Sequence, residues 1–196
     1  KIFLSDQIKE IDEYTIKHEP ITSVDLMERA AGELFKWLTG KYGRSDHFVV
    51  FAGPGNNGGD GLALARMLVS ERYDCEVHYV NFTEKTSHDW KVNYKRLEEE
   101  SNIRINNITS PDDFPVISSG EIIIDAIFGS GLTRPAEGFA AEIIRQINNV
   151  DTTVISIDIP SGLRGEDNSN TPMENIIKAD FTLSLQFPKL SFMFAE

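Results

Sequence analysis

Two stretches of this chain, Ile122-Ile123-Ile124-Asp125-Ala126-Ile127-Phe128 and Val154-Ile155-Ser156-Ile157, are apolar at nearly every position. A strand with one face in water alternates polar and apolar residues, so a strand with no polar face is covered on both sides. Strands of that kind belong to a parallel sheet held between helices. Phe48-Val49-Val50-Phe51-Ala52 is a third such run. Around these runs the pattern alternates. Ser5, and then Thr22 or Ser23, offer N-caps to two opening helices separated at Pro20. Residues 62–69, 87–100 and 139–147 read as later helices, and 77–80, 103–105 and 181–185 as further strands. The expectation is one α/β domain over residues 1–196: a mainly parallel sheet between helix layers, preceded by two N-terminal helices.

Charge narrows the partners. Thirty-one acidic against 19 basic residues give a net charge of −12, a surface that repels phosphate backbones and disfavours nucleic acid. It leaves room for a small anion held by local backbone N–H groups. No apolar run approaches the ~20 residues needed to span a bilayer, so no membrane partner is expected. Cys75 is the single cysteine, which rules out an internal disulfide and a thiolate metal cluster. A reducing cytoplasm is the simplest setting.

In open parallel sheets, ligands sit beyond the carboxyl ends of the strands. Here three strands lead into loops of unusual composition, and together they are expected to read a nucleotide-type small molecule. The first loop, residues 53–61, is Gly-Pro-Gly-Asn-Asn-Gly-Gly-Asp-Gly. Its glycines open the main chain to a ligand, and the helix that follows offers free N–H groups and a positive dipole end. Gly53, Gly55 and Gly58 match G-x-G-x-x-G, a weak signal by itself. The acidic ribose contact expected ~20 residues on is missing, since the second strand ends at Asn81. Asp60 would repel a phosphate; it suits ribose hydroxyls or a nearby cation. A tight strand–helix turn without a ligand is the plainer alternative.

The second loop, residues 125–135, begins with a carboxylate inside an apolar strand, which is costly unless paired or metal-bound. It adds the turn Gly129-Ser130-Gly131 and Arg134, the nearest cation for a phosphate. Simple capping of a neighbouring loop is the competing role for Asp125. The third loop opens with Asp158-Ile159-Pro160-Ser161-Gly162, where Asp158 ends a buried strand. An ordinary Asx-Pro turn is the competing reading. Side-chain oxygens of Asn57, Asp125 and Ser161, one from each loop, could meet at one point, and a cation there is the resulting hypothesis. Hard oxygen donors without His or Cys select an alkali or alkaline-earth ion, and one formal charge among the three fits a monovalent one.

With Leu26-Met27-Glu28-Arg29-Ala30-Ala31-Gly32 and Phe187-Pro188-Lys189 added to the three loops, the chain closely resembles the YjeF N-terminal domain family, the NAD(P)HX epimerases. These motifs span nearly the whole chain in the family's order, and the nine-residue Gly-rich run is far more specific than G-x-G-x-x-G. One departure is Leu190-Ser191 after Lys189, where the family more often has Gly nearby. The resemblance implies a Rossmann-like three-layer α/β/α domain, often a homodimer. The implied substrate is NADHX or NADPHX, in which water has added at C6 of the nicotinamide ring. The implied reaction interconverts R and S epimers for an S-specific dehydratase, fused or separate.

Carried over residue by residue, the family's substrate contacts fall on Asn56, Asn57, Gly58, Gly59 and Asp60, on Gly129, Ser130, Gly131, Leu132, Thr133, Arg134 and Pro135, and on Asp158. Its K⁺ ligands fall on Asn57, Asp125 and Ser161. Inversion at a hemiaminal carbon proceeds by loss and return of the hydroxyl or by opening and reclosure of the C6–N bond, and both need a proton shuttle. Asp158 is the expected acid/base, with Lys189 second. A non-catalytic nucleotide-binding or scaffold domain of the same fold is the alternative from another class. An NAD(P) oxidoreductase is a further one, weakened by the missing acidic ribose contact.

Overall fold

The computed structural model describes residues 1–100 and 103–194. Its elements follow in the order α1 (Ser5–His18), α2 (Ser23–Lys41), β1 (His47–Ala52), α3 (Asn56–Ser70), β2 (Asp74–Val80), α4 (His88–Glu100), β3 (Ile105–Ile108), β4 (Ile122–Ala126), α5 (Gly138–Asn148), β5 (Thr153–Ile157) and β6 (Phe181–Leu183). The strands pair in parallel throughout, in the order β3-β2-β1-β4-β5-β6. That is the doubly wound, three-layer α/β/α architecture the apolar runs demanded.

Alternate residues of the central strands feed two separate cores. Phe48, Val50, Ile122 and Ile124 pack with Leu34, Leu38, Leu62, Leu68 and Trp90 on the face covered by α2, α3 and α4. Val49, Phe51, Ile123 and Val154 pack with Ala141, Ile143, Ile144 and Ile147 of α5 on the other. Phe48 to Ala52 have no exposed surface at all, which is why β1 shows no polar face. Thr22 caps α2, its hydroxyl accepting the Asp25 amide at 3.1 Å.

Several boundaries differ from the sequence reading, four of them for a clear local reason. The third strand lies at Ile105–Ile108 and not 103–105; it is an edge strand, so its two asparagines are tolerated outside the core. β4 stops at Ala126, two residues early, where the Asp125 carboxylate turns back to accept the Ile127 amide. β6 likewise ends at Leu183. Ser5 is the first residue of α1 and not its cap; the helix start is closed by Gln7, whose side chain accepts the Leu4 amide at 3.0 Å. The Ser5 hydroxyl instead donates to the Ser130 carbonyl, which ties α1 to the carboxyl edge of the sheet.

Candidate functional site

The chain runs outward from β1 through β2 to β3, then returns to β4 and runs outward the other way. The switch therefore falls between β1 and β4, and the crevice beyond their carboxyl ends is where such folds hold ligands. The two loops touch there. The Gly53 amide donates to the Ala126 carbonyl at 3.0 Å, and a Cβ on Gly53 would lie 2.0 Å from the Ile127 oxygen.

The Gly-rich segment is less of a loop than its composition implied. Only Gly53-Pro54-Gly55 is non-helical, and Asn56 to Gly61 form the opening turns of α3. Glycine is normally a poor helix residue. Here closeness requires it, since a Cβ on Gly58 would stand 1.8 Å from the Gly53 carbonyl oxygen and one on Gly61 2.7 Å from the Ala126 Cβ. Gly58→Ala is accordingly expected to cost about 3 kcal/mol or more by forcing α3 off its seat. Chemical denaturation measures this, and a cost below about 1 kcal/mol would mean that the contact relaxes.

Asn57, Asp125 and Ser161 do come together, around the backbone of Phe128. Asp125 is fully buried. Its carboxylate accepts the Ser161 hydroxyl at 2.5 Å, the Ser161 amide at 2.8 Å and the Ser156 hydroxyl at 2.7 Å. Burial pushes its pKa up, and the bonds from Ser161, Ser156 and Ile127 work against that. The Ser161 hydroxyl oxygen in turn accepts the Phe128 amide at 2.8 Å, and the Asn57 side-chain amide donates to the Phe128 carbonyl at 2.8 Å. The Asn57 Oδ1 is buried with no hydrogen-bond partner. An orphaned buried oxygen is expensive and calls for a partner, which a bound ligand atom would supply.

Asp158 follows β5 with a φ of 67°, a left-handed conformation unusual for a residue with a side chain. That backbone turns its carboxylate into the crevice. One oxygen accepts the Ser130 amide at 3.0 Å; the other lies 2.6 Å from the Lys189 ammonium, an ion pair without hydrogen-bond angles. Lys189 is 2% exposed and also donates to the carbonyls of Leu185 at 2.9 Å and Phe187 at 3.1 Å. The two residues named as acid/base are therefore one buried unit. A Cβ on Gly129 would meet both Asn57 and the Asp158 carboxylate at 3.3 Å, which places the two halves of the site side by side.

The remaining expected residues divide. Asp60 is buried, and burial, followed by the nearby Asp158, Asp12 and Asp89 carboxylates, holds its pKa well above the usual aspartate value. Asn56, Gly131, Thr133 and Arg134 are exposed, and Leu132 and Pro135 half-buried, on the rim. Gly59 packs toward Met27 of α2. Three contributors were missed. Ser156 was visible as a hydroxyl in an apolar strand; Phe128 acts through its backbone and leaves no side-chain signal. Asp12 reaches the edge only because Gln186 donates to its carboxylate from the far end of the chain.

A doubly wound parallel sheet with a carboxylate-lined crevice at its switch point defines the Rossmann-like α/β class, whose ligands sit at that crevice. Residues 23–191 match the family described as YjeF-related protein N-terminus, and the chain belongs to that family. It is 37% identical to an "NAD(P)H-hydrate epimerase" of Oenococcus oeni over 95% of this chain and 85% of that protein. It is 35% identical to a protein of the same name from Anaerococcus prevotii, over 94% and 84%. A "Bifunctional NAD(P)H-hydrate repair enzyme Nnr" of Dictyoglomus turgidum is 35% identical over 97% of this chain, which spans 36% of that longer protein. Among solved structures, the yeast protein YNL200c has the same fold, with a TM-score of 0.78 at 23% identity, over 100% of this chain and 84% of that one.

Proposed function

We propose that this chain is an NAD(P)H-hydrate epimerase, an isomerase that interconverts the R and S forms of NADHX and NADPHX during nicotinamide-nucleotide repair. The observation that carries the reading is the buried Asp158–Lys189 pair opening onto the switch-point crevice. A hemiaminal carbon needs a proton delivered to its departing oxygen and another removed from the returning one. Asp158 is the group placed to move that proton, and Lys189 positions it. The Gly129-Ser130 turn, with the Ser130 amide already anchored on Asp158, holds the ligand beside it; Asn56, Asp60 and residues 131–135 supply the rest of the wall.

The donors around Phe128 fit K⁺. Asn57, Asp125 and Ser161 would hold it through an orphaned amide oxygen, a carboxylate and a hydroxyl, all hard oxygens carrying one formal charge. Bound there, the ion offsets the buried Asp125 charge and locks the three loops in register. The same reading carries a homodimer and a dehydratase acting on the S epimer, fused or separate. The lone thiol Cys75 supports a reducing cytoplasm. Among the described residues no helix is long and apolar enough to cross a membrane.

The test is a mixture of NADHX epimers supplied with an S-specific dehydratase. With this protein present, both epimers are expected to be consumed, and K⁺ is expected to raise the melting temperature by several degrees, against a choline control. Ligand at 100 times its Kd stabilises by about 2.7 kcal/mol. An R epimer left intact would instead favour a scaffold.

A further inference from the structure

Among the described residues, Asp60 is the one carboxylate of the site with no bonding partner. It is 7% exposed, and no hydrogen bond or salt bridge reaches it. It stands one helical turn beyond Asn57, so the two share a face of α3, and the Asn57 Oδ1 is likewise buried and unpartnered. A buried, orphaned amide oxygen and an unbonded carboxylate in adjacent turns beside one crevice point to a ligand. Asp125, by contrast, is held by several donors, and Asp158 by the Ser130 amide and the Lys189 ion pair.

We propose that Asp60 is a second proton-handling group of the epimerase, working across the crevice from Asp158. The inference rests on the epimerase reading above. Topology supplies the geometry it needs. Asp60 belongs to the helix that follows β1, and Asp158 to the loop that follows β5, and these strands flank β4 on opposite sides. Strands stand about 4.8 Å apart, so a ring seated over the end of β4 is approached from two sides. In one turnover, the Asp60 carboxyl gives its proton to the C6 hydroxyl. The C6–O bond breaks, water leaves, and the ring-nitrogen lone pair forms the C6=N iminium. Water adds to the other face, its proton passes to the Asp158 carboxylate, and the nitrogen recovers its lone pair. The proton then returns to Asp60 through solvent, and the reverse direction exchanges the two roles.

The surroundings favour this division. The charged groups that bear on Asp60 are the carboxylates of Asp158, Asp12 of α1 and Asp89 of α4; all three are like charges and add to burial in favouring the protonated acid. The Lys189 ammonium is taken up by Asp158 and two carbonyls. Carboxyl groups whose environments diverge in this way divide acid from base.

The experiment compares kcat and KM for epimerisation in the wild-type chain and Asp60→Asn across the pH range where both are folded. Wild-type kcat is expected to fall at alkaline pH as Asp60 loses its proton. Asp60→Asn is expected to lower kcat by about 100-fold or more, with little change in KM, and to abolish that alkaline limb. A raised KM with unchanged kcat would make Asp60 an acceptor of ribose hydroxyls and overturn the proposal, as would a variant that keeps the alkaline limb. If the variant does not fold, a carboxyl-carbon NMR titration of wild type decides: a titration above the ordinary aspartate range supports the role, and one within it overturns the role. A wild-type chain without epimerase activity would sink the parent reading instead, so the two failures are distinct.

Discussion

Lys189→Met is expected to lower the stability of the folded chain by about 3–5 kcal/mol, the cost of stranding one member of a buried ion pair. For a chain of this length that is a melting temperature lower by roughly 6–20 °C. The ammonium lies 2.6 Å from the Asp158 carboxylate and donates to the Leu185 and Phe187 carbonyls; its removal strands the buried carboxylate, while the two carbonyls keep the Phe187 amide and the Ser184 hydroxyl as donors. Methionine replaces the stem and none of the charge. The loss is then not additive. Lys189→Met combined with Asp158→Asn removes both charges, and the double variant is expected to melt higher than Lys189→Met alone. A double variant that loses the sum of the two single losses would show that the pair is not coupled.

Asp158→Asn is expected to reduce epimerisation by about 10²–10⁴-fold, the usual span for loss of a general acid/base. Asparagine is the informative replacement because of the backbone. At φ 67° most side chains are strained, while Asn tolerates the left-handed region well. Its Oδ1 can still accept the Ser130 amide, so the turn at residues 129–131 stays in place. What changes is the capacity to exchange a proton. Some stability is lost as well, because Lys189 keeps only its two carbonyls, and circular dichroism separates that loss from the catalytic one. A folded variant that epimerises at near-normal rate would remove Asp158 from the mechanism and leave it a structural anchor.

Much of the fold was legible because its strongest signals are local. Phe48 to Ala52 are apolar along their length, as are Ile122 to Ala126 apart from Asp125, and such runs permit few environments other than a parallel sheet between helices. Boundaries were less legible. The strand at Ile105–Ile108 carries two asparagines, and only its edge position excuses them. The opening of α3 was read as loop because glycine disfavours helix, whereas the tertiary contact of Gly58 with Gly53 is what selects glycine there.

The site shows the same division. Asp125, Asp158 and Ser161 could be picked from the chain because each is polar where its neighbours are apolar or glycine, and Asn57 because a bare turn has no need of it. That they share one crevice is a property of strand order, since β1 and β4 become neighbours only after the chain has run out to β3 and returned. The pairing of Asp158 with Lys189, 31 positions apart, and the approach of Asp12 to Gln186 are likewise decided by folding. Residue type determines what each group can do chemically, and that much is written in the sequence alone. Which groups share a low-dielectric space, and so shift one another's protons, depends on distances that only the packed tertiary structure sets.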